Sequence, residues 1–205
     1  IVLRKGVKFQ NGEAMTSEDV KYTFERIADE KTAAAARSTF AGVDSIEHCT
    51  FADDAVLRKM AAAGTTLVPT VCAGELLFRD PAAIASMPPH LLTRMAEFND
   101  IHIDAIRRAH RLGVAIAMGT DAGTPGNHHG LNAEECVLLS LKAGLSPQES
   151  IRTATVNAAR LLRQADHLGA LDEGKHADII GMCENPLDDI TALTRVALVI
   201  KAGEV

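Results

Sequence analysis

From residue 41 onward the chain alternates short apolar runs with stretches of helical spacing. "GVDSIEH" (42–48) predicts a strand, and a helix follows over about 52–63, stopping at Gly64. "TTLVPTV" (65–71) predicts a second strand. After Pro88-Pro89, the residues Leu92, Met95, Ile101, Ala105, Ile106, Ala109 and Leu112 keep helical spacing as far as Gly113. "VAIAMG" (114–119) predicts a third strand. Gly64, Gly113 and Gly144 each close a helical stretch, where glycine adopts the left-handed conformation without a Cβ penalty. Strand, helix and glycine repeated in this order predict a parallel sheet, because parallel neighbours need a long crossover. The fold class expected is therefore α/β.

Two helices are expected after the third strand. "SPQES" (146–150) is a start signal: Ser146 caps, Pro147 fits the first helical position, and Glu149 reaches back to the cap. Ile151, Ala154, Ala158, Leu161 and Leu162 then form one apolar face. From Gly169 the pattern changes to short strands at 177–182 and 196–205 around the turn-rich "CENPLDD", which predicts a small β appendage. The first 31 residues differ: a strand in "VLRKGVKF", a tight turn at Asn11-Gly12, and a helix opened by Thr16 and Asp19 and carrying Val20, Phe24 and Ile27. The Ala-rich "KTAAAARST" (31–39) reads as a seam.

Composition narrows the function classes. With 205 residues and 47% hydrophobic content the chain can fill a core. A net charge of −6 without a basic block argues against nucleic acid and anionic lipid, and for a small soluble substrate. Aromatics at 3% and the absence of Trp weaken any stacking role. Cys49, Cys72, Cys136 and Cys183 are scattered through segments that read as core or element edge, so buried free thiols in a reducing, cytoplasmic compartment are expected. No stretch approaches the roughly 20 apolar residues that span a bilayer, and the N-terminus has no signal-peptide pattern. The chain begins with Ile1 and not with Met, so it is expected to be processed or a fragment.

Two predicted strands end in metal-ligand chemistry: Glu47-His48 on the first, and Asp121 on the third, set among Gly119, Thr120, Ala122 and Gly123. In a parallel α/β barrel the carboxyl ends of the strands open onto one face, where function is placed, so His48 and Asp121 are expected at one site. The small neighbours of Asp121 leave room for an ion or substrate. Read singly, each residue has an ordinary alternative: Asp121 as a turn cap, His48 as an imidazole satisfied by backbone.

"GVDSIEHCTFADDAVLRKMAAAGTTLVPTV", "VAIAMGTDAGTPGNHHG" and "ATVNAARLLRQADHLGALDEGKHADIIGMCENPLDDI" resemble the C-terminal half of the metal-dependent amidohydrolase superfamily, in its imidazolonepropionase-like and Xaa-Pro dipeptidase-like branch, from residue 41 to 205. The resemblance implies a partial (β/α)8 TIM barrel with a small C-terminal β appendage beside it. It implies one or two divalent ions, usually zinc, that activate water for hydrolysis of amide, cyclic amide or dipeptide-like C–N bonds. His48 then matches the metal ligand ending the sixth strand. Asp121 matches the ligand and proton shuttle ending the eighth. A metal lowers the pKa of its bound water, and the carboxylate takes the proton as hydroxide attacks and later delivers it to the leaving nitrogen. His128 and His129 follow on the same loop, either touching substrate or belonging to a polar surface loop.

The superfamily's other ligands, a His-x-His pair, a Lys or Glu and a further His, belong upstream of residue 42, where this chain has no histidine at all. Catalytic zinc takes about three protein ligands, so the chain alone is expected to be inactive. His90, His102, His110, His167 and His176 are expected on outer helices or in the tail, as surface groups. Upstream, "LRKGVKFQNGEAMTSEDVKYTFERIADEK" resembles the peptide- and solute-binding proteins of bacterial uptake systems, with an unrelated hairpin and helix. The expected division is a solute-binding-like fragment and seam over 1–37, a partial barrel over 38–168 and a β-sandwich remnant over 169–205. An incomplete parallel barrel leaves strand edges unpaired, so a homo-oligomer or a missing N-terminal half is the expected partner. Two other readings stand beside the hydrolase: an inactive fragment that associates through its edges, and a solute-binding protein.

Overall fold

The computed structural model describes residues 43–205, together with Glu13, Thr16 and Glu18. The chain divides into two compact units, Ile1–Val43 and Asp44–Val205, and the fold described here is that of the second. The hairpin, helix and seam expected over 1–39 lie outside the described residues, apart from those three positions.

Strand β1 (Ser45–Glu47) leads to helix α1 (Asp54–Ala63). Asp53 caps α1 by accepting from the Val56 N–H, and Gly64 closes it at φ 72°, its N–H returning to the last turn. Leu57 and Met60 face inward from α1. Strand β2 (Thr66–Val68) then runs parallel to β1 with Ile46 opposite Leu67. Expected as far as residue 71, β2 stops at Val68: Pro69 has no N–H for a ladder, and Val71–Glu75 begins helix α2. A 3₁₀ turn (Leu76–Arg79), helix α3 (Pro81–Ser86) and the long helix α4 (Pro89–Arg111) complete the crossover.

The run 114–119 lies beside β2 as predicted, but only as a parallel bridge between Leu67 and Ile116. Leu67 donates to Ala115 O at 2.8 Å and accepts from Ala117 N at 3.0 Å. Regular strand is not reached because the opposite edge of the run meets a helix. Met118 N donates to Thr153 O at 2.9 Å, and the Asn157 side chain donates to Ile116 O at 2.8 Å. Helices α5 (Ala133–Leu141), α6 (Pro147–Arg152) and α7 (Ala158–Leu161) follow, with a π-helical turn over Thr153–Asn157 making that contact. The predicted box at the start of α6 is present, Ser146 and Glu149 capping each other's backbone. Leu67, Ile106, Leu138 and Leu139 are the centre of the core, which joins α1, β2, α4 and α5.

The appendage consists of β3 (Ile179–Met182) antiparallel to β4 (Val196–Ile200), shorter than predicted, with a 3₁₀ turn (Ile190–Thr194) that packs Ile190 and Leu193 against Cys136 and Val137 of α5. Of the four free cysteines, Cys72 and Cys136 are buried and Cys49 is half-buried. Cys183 is exposed, contrary to expectation, because it leaves β3 at the turn. No helix among the described residues is long and apolar enough to cross a membrane.

Candidate active site

Because β1, β2 and the 114–119 run are parallel, their carboxyl ends lie at one end of the sheet. Each end carries a non-glycine residue in the left-handed region: His48 at φ 61°, Thr70 at φ 56° and Asp121 at φ 53°. For a β-branched threonine this conformation is a genuine outlier, and strain of that kind collects where surrounding structure holds a side chain for use. Thus His48 and Asp121 stand at the same end of the sheet, as their positions in the sequence predicted, and Thr70 joins them.

The exposed His48 is tied to its neighbours by two bonds. Its N–H donates to Val68 O at 2.9 Å, and its Nδ1 lies 2.6 Å from Thr70 Oγ1. Thr70 is buried and its hydroxyl donates to Pro69 O at 2.6 Å. Although Thr70 occupies the N-cap position of α2, its side chain accepts no helix N–H. That service comes from Glu135 on α5, whose two carboxylate oxygens accept from Val71 N and Cys72 N at 2.8 Å each. Glu135 has no solvent exposure. Burial pushes its carboxyl up to about 7 against the pull of these two amides. Burial, with the Glu135 carboxylate beside it, likewise pushes the Cys72 thiol well above its ordinary value.

Asp121 is exposed on a loop whose shape is set by Asn127, a residue with 1% exposure. The Asn127 side-chain amide donates to Thr120 O at 2.7 Å and to Asp121 O at 3.0 Å. Its backbone N–H donates to Thr124 O at 2.9 Å and its carbonyl accepts from Gly123 N at 2.8 Å. Gly126 presses this loop onto the 3₁₀ turn: a Cβ there would lie 2.6 Å from Leu76 O, and its φ is +77°.

A cavity of about 300 Å³ opens beside this end of the sheet, lined by His48, Thr70 and His102, by Thr124 and Pro125 of the Asp121 loop, and by an apolar wall that includes Leu77, Met95 and Phe98. Asp121 itself is not among its lining residues. His128 lines a different cavity with Arg79, Asp80 and Glu134, its Nε2 3.9 Å from Asp80 Oδ2. His129 is exposed and lines neither.

His102 departs from expectation. Predicted as a surface group on α4, it is 5% exposed, and its Nε2 has no hydrogen-bond partner. Burial, reinforced by the nearby His48, lowers its affinity for a proton, while the carbonyls of Pro69 and His48 act the other way. Helical spacing carried the signal: Asn99, His102, Ile106 and Ala109 are all buried on one face of α4. Thr70, Asn127 and Glu135, the other residues that sequence reasoning missed, gave no such signal, because their partners lie in other turns or other elements.

For a divalent ion, an imidazole and a carboxylate fit in kind and fall short in number. Among the described residues no three His, Cys, Asp or Glu side chains gather as ligands would.

The amidohydrolase family profile matches residues 27–205. The chain belongs to that family. Among its relatives, the ochratoxinase of Aspergillus niger is 34% identical over 151 residues, which are 73% of this chain and 30% of the relative. The imidazolonepropionase of Symbiobacterium thermophilum is 30% identical over 140 residues, 68% of this chain and 28% of the relative. A crystal structure of a Xaa-Pro dipeptidase with methionine bound in its active site superposes with a TM-score of 0.70 at 40% identity, covering 82% of this chain and 40% of that one. This amidohydrolase chain therefore spans well under half the length of the relatives it matches. The family generally uses divalent metals, and its neighbours are TIM-barrel-like. The resemblance of residues 1–31 to solute-binding proteins finds no support in these comparisons.

Proposed function

We propose that this chain carries the C-terminal part of the active site of an amidohydrolase that cleaves C–N bonds in amide, cyclic amide or dipeptide-like substrates. In this reading β1, β2 and the 114–119 run are the sixth, seventh and eighth strands of a (β/α)8 barrel, and 169–205 is the remnant of a small β-sandwich. His48 and Asp121 contribute to a divalent site, with zinc the ion of choice, and the remaining donors come from outside the described residues. The Asp121 carboxylate accepts the proton of the attacking water and returns it to the leaving nitrogen. The observation that carries this reading is that His48 and Asp121, both in left-handed conformations, follow parallel runs at the same end of the sheet.

The apolar wall of Leu77, Met95 and Phe98 beside His48 supports a substrate with an apolar side chain next to the scissile bond. His128 and His129 are assigned in this reading to the outer rim of the substrate approach, and His128 Nε2 lies 3.9 Å from Asp80 Oδ2.

Titration calorimetry with Zn2+ on the purified chain tests the metal site. Binding is expected to be weak, as two protein donors dictate. It is expected to weaken further by at least about tenfold in His48→Ala and in Asp121→Ala, since even outer-shell partners are worth 10–100-fold. Equal affinity in the unaltered chain and both variants overturns the assignment.

A further inference from the structure

We infer that Thr70 is the positioning residue of His48, fixing its neutral imidazole as the Nδ1–H tautomer and leaving the Nε2 lone pair free, with Glu135 releasing the Thr70 hydroxyl for this task. The inference deepens the proposed metal-ligand role of His48 and rests on it for its functional meaning, though not for its geometry.

Proton counting carries the argument. A threonine hydroxyl has a single hydrogen to donate and two lone pairs that accept. The Thr70 hydrogen goes to Pro69 O at 2.6 Å. Towards His48 Nδ1, 2.6 Å away, the oxygen is then an acceptor, so the hydrogen of that contact sits on the imidazole. A neutral imidazole carries one N–H, and Nε2 is left bare. A free histidine side chain in water prefers the opposite arrangement, with the hydrogen on Nε2, so the tautomer assigned here needs a cause and Thr70 supplies it. Metal-binding histidines are commonly oriented in this way, through a hydrogen bond from the nitrogen that does not bind.

The position of Thr70 explains how its hydroxyl stays available. At a helix N-cap a threonine oxygen ordinarily accepts from the backbone N–H groups of the first turn. Here Glu135 takes the amides of residues 71 and 72, from 64 and 63 positions along the chain. A fully buried carboxylate that caps a five-residue helix is a costly arrangement for so short an element. Its effect is to hold Thr70 in the left-handed region at φ 56° and ψ 43°, with the hydroxyl directed at His48 and not at its own helix. The buried Thr70 lines the same cavity as His48, so the pair belongs to the candidate site and not to the core alone.

The test reads the tautomer directly, in metal-free protein at a pH above the imidazole titration. In two-bond 1H–15N spectra, His48 is assigned by the signals lost in His48→Gln. The unaltered chain and Thr70→Ser are expected to show Nδ1 protonated and Nε2 bare. Thr70→Val, of the same shape without the hydroxyl, is expected to lose that pattern in favour of the Nε2–H form. Glu135→Gln, which offers one acceptor to two amides, is expected to move His48 in the same direction. An Nε2–H tautomer in the unaltered chain overturns the inference whatever the variants do, as does an Nδ1–H tautomer retained in folded Thr70→Val. An unmoved His48 in folded Glu135→Gln overturns the part assigned to Glu135. Because no metal is present, the result is independent of the zinc titration. An Nδ1–H tautomer without zinc binding sinks the site and leaves the positioning intact.

Discussion

At the scale of single residues, the side chains that shape this site are small, polar and buried, and their work is visible only once the chain is folded. Asn127 is the clearest case. Its side-chain amide holds the carbonyls of Thr120 and Asp121 together, and alanine there takes that donor from the half-buried Thr120 and leaves Asp121 O only the longer bond from Thr124 Oγ1 at 3.3 Å. Unsatisfied buried groups cost roughly 1–3 kcal/mol, so Asn127→Ala is expected to lower unfolding free energy by that amount in urea titration, with an unchanged slope on denaturant. A loss under about half a kcal/mol would mean that the loop is held by something else, such as Gly126 against Leu76. The positions of His48 and Asp121 at the ends of parallel runs were legible in the sequence because a ligand-type residue ending an apolar run is a local signal. Thr70, Asn127 and Glu135 were not, because threonine, asparagine and glutamate are common in turns and on surfaces, and only their distant partners distinguish them.

At the scale of elements, legibility followed the range of the interactions. Helices with their own start and stop signals were readable. The box of Ser146, Pro147 and Glu149 opens α6, and Gly64, Gly113 and Gly144 take positive φ as expected. The short α2 was not readable, since its N-terminal amides are satisfied by a residue on α5. Nor was the failure of the 114–119 run to extend into regular strand, which depends on Thr153 and Asn157 in the π-helical turn.

The capping box makes a testable element. The Ser146 hydroxyl and backbone N–H, with a smaller contribution from His110, hold the Glu149 carboxyl down at about 2. A carboxylate whose affinity for protons falls on folding stabilises above its unfolded value near 4.5, and that stability is lost as pH drops towards 2. Ser146→Ala is expected to cost about 1 kcal/mol at neutral pH, measured by thermal unfolding, and the deficit should shrink below about pH 4. An undiminished deficit at pH 3 would show that Glu149 takes no part.

At the scale of the whole molecule, Glu135 ties α2 to α5 just beyond the end of β2, and its protonation belongs to the stability of that junction. Raised to about 7 in the folded chain, it binds a proton more tightly there than in the unfolded chain. Its contribution is therefore greatest at or below about pH 4.5 and declines as pH rises to about 7, by up to about 3 kcal/mol at roughly 1.4 kcal/mol per pH unit. The effect of His102 has the opposite sign, since burial lowers its affinity for protons on folding. The informative quantity is the difference between the unaltered chain and Glu135→Gln, followed by urea unfolding from pH 4.5 to 7.5. That difference should move in favour of the variant as pH rises, and a flat difference would place Glu135 in a far more polar setting than its burial implies. The α/β class was readable at this scale from the alternation of apolar runs and helices. Membership of the amidohydrolase family agreed with it.

The left-handed threonine after β2 carries one more consequence. Glycine at position 70 would relieve the left-handed backbone, at the cost of the two contacts that the Thr70 hydroxyl makes and of extra freedom in the unfolded chain. Such a chain would carry less backbone strain there and leave the imidazole at 48 free to turn over between its two neutral forms. Robustness and readiness for chemistry pull in opposite directions at this one residue.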